Sequence, residues 1–111
     1  MEKQLIKSFT STPDINIQGT FGVGKLDGIT YQELVKTFGP PTHNSNDDKV
    51  QVEWVISFIN RFDDKVIATI YDWKSYGMVP ESINYWNVGG KKNEALWLVK
   101  EALHTAMTKK K

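Results

Sequence analysis

Cysteine is absent from this chain of 111 residues, which excludes disulfide staples, thiolate nucleophiles and the Cys-based metal sites. A surplus of either charge is missing too: 14 Lys and Arg stand against 13 Asp and Glu, a net charge of +1. No overall field then draws the chain to nucleic acid or to a membrane surface, and neither partner is expected. Long apolar runs are lacking. In the opening MEKQLIKSFT the apolar run Leu5-Ile6 is only two residues long, with charges on both sides, which predicts neither a signal peptide nor an anchor. With no Cys to protect, the plain expectation is a cytoplasmic protein. Internal repeats and low-complexity segments are also missing.

A catalytic set does not assemble either. His43 falls in a polar loop and His104 on a late helix beside Lys100 and Glu101, and neither has a nucleophile at a telling spacing; both read as surface histidines. Asp47-Asp48 and Asp63-Asp64 lack calcium-loop spacing and read as turn residues. The expectation is a non-enzyme with no metal and no cofactor.

What is present suffices for a core: 40% hydrophobic residues, with four Trp, five Phe and four Tyr. The length suits one domain, expected as an N-terminal extension (1–13), a core (14–108) and a basic tail (109–111). Ile15 to Phe21 alternates as a half-buried strand does. Thr30 and Glu33 form a capping box, and Tyr31, Leu34, Val35 and Phe38 share one helical face. Gly39 then supplies a cap, and Pro40-Pro41 prevent continuation. A hairpin follows, from Val50–Phe58 through a turn at 60–65 to Val66–Trp73. A third strand, Ile83–Val88, ends at Gly89-Gly90, and a helix from about Asn93 to Lys109 buries Ala95, Leu96, Leu98, Val99, Ala102, Leu103 and Ala106. The order β-α-β-β-β-α predicts an α+β fold, an antiparallel sheet with both helices on one face.

Gly19–Lys25, GTFGVGK, matches the first seven positions of a nucleotide P-loop. Leu26 stands where Ser or Thr would hold magnesium, Asp27-Gly28 separate the lysine from the next helix, and the sheet is antiparallel. The motif is rejected. The stretch reads as a strand ending in a glycine-permitted bend, with Leu26-Asp27-Gly28 as a turn; exposed amides beside Lys25 leave room for an anion.

A richer cluster is Tyr71, Trp73, Lys74 and Tyr76, with Trp86 on the following strand. Large aromatics near one sheet end can form a slot that stacks a base; the alternative is that Trp73 and Trp86 pack the sheet against the helices. Gly89, Gly90, Lys91 and Lys92 lead into the last helix, where amides, dipole and ammonium groups favour an anion. Solubility at an exposed corner is the other reading. Trp97 shares a face with Lys100, Glu101 and His104, away from the apolar stripe, which suggests contact with a second subunit or cover for a sheet edge.

The segments GTFGVGKLDGITYQELVKTFGPPT, VEWVISF, VIATIYDWKSYG and WNVGGKKNEALWLV resemble a widespread family of small phage-encoded accessory proteins, over about residues 15 to 100. The chain is similar to viral sponge proteins of the anti-CBASS type, which sequester cyclic nucleotide signals of bacterial immunity. That resemblance implies a homo-oligomeric binder of a cyclic dinucleotide in the host bacterial cytoplasm. It places Tyr71, Trp73 and Trp86 near bases, and Thr20, Lys25, Lys74, Lys91 and Lys92 near phosphates. The turn NRFDDK is longer than the Asp-Gly turn such a hairpin would carry. The helix-then-hairpin unit also resembles small outer-membrane assembly lipoproteins, whose lipoprotein signal this sequence lacks. The rival reading is an inhibitor that docks the aromatic surface on a host defence enzyme, of the anti-CRISPR or nuclease-inhibitor type.

Overall fold

Six strands, two α-helices and one 3-10 turn at Pro80–Ser82 occur among the residues described by the computed structural model, 5–11, 19–44, 50–73 and 78–108; the turn aside, they are numbered by type along the chain. In chain order they are β1 (Ile6–Ser11), β2 (Phe21–Asp27), α1 (Tyr31–Phe38), β3 (His43–Asn44), β4 (Val52–Asn60), β5 (Lys65–Tyr71), β6 (Tyr85–Gly90) and α2 (Glu94–Thr108). The strands form one antiparallel sheet in the order β1-β4-β5-β6-β2, and β3 adds to β4 on the side that β1 also uses. The fold is α+β, as the periodicities predict.

The alternation in β4 and β5 decides which face is the core. Val52, Trp54, Ile56 and Phe58, with Val66, Ala68 and Ile70, point to the side where Leu34 and Phe38 of α1 and Leu98, Val99 and Leu103 of α2 are buried. Residues between them in sequence, such as Glu53, Thr69 and Tyr71, point to the opposite face. Asn60 shapes the hairpin turn: its side-chain oxygen accepts hydrogen bonds from the Phe62 and Asp64 amides, at 2.9 Å each. Asp63 there takes a positive φ of 70°, so the Asp63-Asp64 pair is turn chemistry, as expected.

The capping box at Thr30 and Glu33 forms in both directions. Two tryptophans then grip α1 from below. The Trp86 indole donates to the Ile29 carbonyl at 2.8 Å, just before the helix, and the Trp54 indole donates to the Gly39 carbonyl at 2.9 Å, just after it. The two rings meet edge to face with centroids 5.5 Å apart, a favoured aromatic geometry.

Several boundaries differ from expectation. Residues 6–11 belong to the sheet: β1 pairs with β4 from Ile6↔Asn60 to Ser11↔Ile56. Glu101 of α2 anchors its start by accepting the Leu5 and Ile6 amides. The polar sequence of β1 hid it, because an edge strand leaves most of its side chains exposed. Leu26 and Asp27 are strand, and the chain turns only at Gly28, whose φ is +80°. Gly89 and Gly90 continue β6, paired with Thr69 and Ala68 on one side and with Gly22 and Phe21 on the other. Residues 15–18 of the first expected strand lie outside the described residues.

Candidate functional site

Register brings a polar row to the face opposite the helices. His43 lies across from Glu53, Glu53 from Tyr71, Tyr71 from Asn87 and Asn87 from Lys25, so five strands each place one polar residue on a single rung. At one end of this rung is a pocket of about 250 Å³, lined by Thr20, Phe21, Val50, Glu53, Thr69, Tyr71, Trp73 and Gly89. Tyr71 and Trp73 give it an aromatic lining, Trp73 being 49% exposed, whereas Phe21 pairs with Gly90 on the helix side of the register and brings its carbonyl to 3.4 Å from where a methyl group at Gly89 would stand. Gly89 forms part of the floor. A methyl group there would stand 2.6 Å from Thr69 Oγ1 and 3.6 Å from Tyr71 Cε1, so any larger residue would fill the space that the ring of a ligand requires.

Glu53 is the pocket's acid. Burial raises its carboxyl above the ordinary value of 4.5, and the charge of His43 offsets part of that rise. Its carboxylate accepts no hydrogen bond from the described residues. Burial, and then the Glu53 charge, raise the Tyr71 phenol above 10.0, so Tyr71 offers a neutral hydroxyl at physiological pH.

The predicted site residues separate into three groups. Thr20, Tyr71, Trp73 and Gly89 do converge on this pocket. Lys91 does not line the pocket; its Cε lies 3.9 Å from where a methyl group at Gly19 would stand, and Lys92 is exposed beside it. Lys74 and Tyr76 lie outside the described residues. The remaining residues are elsewhere. Trp86 is 0% exposed, on the helix side of the sheet; Tyr71 pairs with its neighbour Asn87, so Trp86 necessarily faces the other way and takes no part in a base-stacking slot. Gly90 is spent on packing, since a methyl group there would meet Ala95 Cβ at 2.5 Å, and strand pairing occupies the segment expected to present free amides. The positive end of α2 already has an anion, because Glu94 stands in its first turn, hydrogen-bonded to Asn60 Nδ2 at 2.8 Å. Lys25 sits at the far end of the rung, its ammonium 5.4 Å from the centre of the Tyr85 ring, and hydrogen bonding and then charge interaction with Tyr85 raise its pKa. Trp97 is 58% exposed.

Phe21, Val50, Glu53 and Thr69 are the pocket residues that sequence reasoning missed. Pairing Glu53 with Tyr71 by counting back from the hairpin turn was the signal that could have found Glu53. Phe21 was hidden behind the P-loop match.

Two other grooves flank α2, one of about 410 Å³ beside β2 and one of about 490 Å³ beside β1. Neither gathers aromatic walls around an acid. No group of three metal-ligating side chains occurs among the described residues, and no described helix is long and apolar enough to cross a membrane. Comparison with known proteins brings no match among family models, curated proteins or solved structures.

Proposed function

We propose that the chain is a non-catalytic binder of a small anionic nucleotide, a sponge of the cyclic dinucleotide class, with one base seated in the sheet-face pocket. The observation that carries this reading is the convergence of Tyr71 and Trp73 around Glu53 in one pocket, with Lys91 exposed two residues beyond Gly89. Aromatic faces hold a base through stacking worth roughly 1–3 kcal/mol each, and Lys91 suits the adjoining phosphate. Drug-sized ligands fill roughly 300–1,000 Å³; about 250 Å³ takes one base and leaves the rest of a dinucleotide outside. A second copy that covers the exposed part completes the enclosure, and exposed Trp97 is the contact proposed for it. Resemblance to phage cyclic-nucleotide sponges supplies the setting, evasion of a bacterial immune signal in the host cytoplasm.

Calorimetric titration with cyclic dinucleotides tests the proposal. Trp73→Ala is expected to weaken binding by about 1–3 kcal/mol while leaving thermal stability intact. The ligand is then recovered after heat release. Intact ligand supports sequestration, whereas cleaved ligand would turn the His43–Glu53 pair into an acid–base site and replace this reading with hydrolysis. If the folded protein ignores every nucleotide, the aromatic surface is instead a docking face for a host protein.

A further inference from the structure

We infer that the pocket selects guanine, with Glu53 as the group that reads the base. This rests on the nucleotide reading above and goes beyond it by naming the ligand's base. A carboxylate only accepts hydrogen bonds, through two oxygens set side by side. Guanine presents two neighbouring donors, N1–H and the N2 amine, which match that pair. Adenine and cytosine each put a ring-nitrogen lone pair beside their amine, so one carboxylate oxygen would face another acceptor. Uracil offers a single N–H between two carbonyls. Tyr71, directly across the strand pair from Glu53, keeps its phenol protonated and can donate to the guanine O6. With Trp73 presenting ring surface at the mouth, base identity depends on the polar edge, because stacking alone is tolerant of sequence. A site built around a ligand's donors discriminates strongly against an analogue that lacks them, since its own polar group is then left unpaired.

The test titrates the full chain with GMP, IMP, AMP, CMP and UMP, and with the cyclic dinucleotides of guanine and of adenine. IMP keeps N1–H and lacks the N2 amine, so it isolates one of the two hydrogen bonds without any mutation. The expected order is GMP, then IMP, then AMP, with at least about tenfold between GMP and AMP. The near-isosteric Glu53→Gln variant is expected to lose about tenfold or more for GMP and to bind AMP at least as well as the parent, because the Gln amide sets a donor and an acceptor against adenine N1 and its N6 amine. Equal affinity for GMP, IMP and AMP would overturn the inference and leave the nucleotide site standing, as would a Glu53→Gln variant that binds GMP like the parent. Binding to none of the seven would remove the site reading and the inference together.

Discussion

Asp72 shows how one side chain can hold a strand in place. It is fully buried, and its carboxylate accepts the Gln51 amide at 2.8 Å and the Val52 amide at 3.1 Å, which joins the end of β5 to the start of β4. Hydrogen bonds to a buried charge are worth roughly 1.5–3 kcal/mol each. Asp72→Ala is therefore expected to lose about 2–4 kcal/mol of stability, read as a lower urea midpoint. A loss under about 0.5 kcal/mol, typical of a surface site, would contradict that role. Glu53 is a different case. Its folded pKa is raised, so between the unfolded and folded values the native state keeps a proton that the unfolded chain has released. The stability tied to the neutral form is complete below the unfolded pKa and is lost as pH rises through the folded one. Glu53→Gln should match the parent near about pH 4 and exceed it at about pH 7, in thermal melts across that range. A variant less stable than the parent at neutral pH would mean that the Glu53 charge is compensated. The same substitution is expected to weaken guanine binding, so stability and affinity pull apart at this position. The sequence made Trp73 and Tyr71 conspicuous but left Trp86 ambiguous, because a tryptophan's role depends on which way its strand faces, and that needed the register.

At the scale of elements, α1 was legible almost residue by residue. Its cap, apolar face and stop signal are all local chemistry, and local chemistry is what sequence carries best. The glycines were harder, because close approach is a property of two elements at once. Gly24 and Gly90 both lie under α2: a methyl group at Gly24 would meet the flexible Leu96 methyls at 2.4 Å, and one at Gly90 would meet Ala95 Cβ at 2.5 Å with the Ile67 carbonyl at 3.2 Å. Leu96 can change rotamer, whereas Ala95 and the Ile67 backbone have no such freedom. Gly90→Ala is expected to cost about 1–3 kcal/mol, and Gly24→Ala less than about 1 kcal/mol, compared by chemical denaturation. Equal costs would mean that α2 shifts as a whole. β1 escaped notice because it depends on partners far along the chain: Glu101 accepts the Leu5 and Ile6 amides, the Leu5 carbonyl accepts the Arg61 amide, and Lys7 pairs with Asp63.

At the scale of the whole molecule, fold class follows from the order of the periodic segments, but sheet order does not. Nothing local says that β1 and β2, adjacent in sequence, end at opposite edges of the sheet. The candidate site depends on that order, since it gathers Thr20 and Phe21 near β2, Glu53 on β4 and Tyr71 on β5. This is why only part of it could be read in advance. The proposed second copy gives the prediction proper to this scale. Size-exclusion with light scattering is expected to show an assembly larger than the 12.7 kDa chain, and Trp97→Glu should return the mass to that of a monomer with unchanged circular dichroism. A parent that elutes as a monomer with and without cyclic dinucleotide would remove the enclosure by a partner copy. The Glu101 anchor has a last consequence, for synthesis. Leu5 and its acceptor are 96 positions apart, and ribosomes add roughly 5–20 residues each second. The first strand therefore waits about 5–20 s after its own translation before the residue that tethers it has been made, and once β4 is complete the nascent chain carries a sheet edge without its anchor.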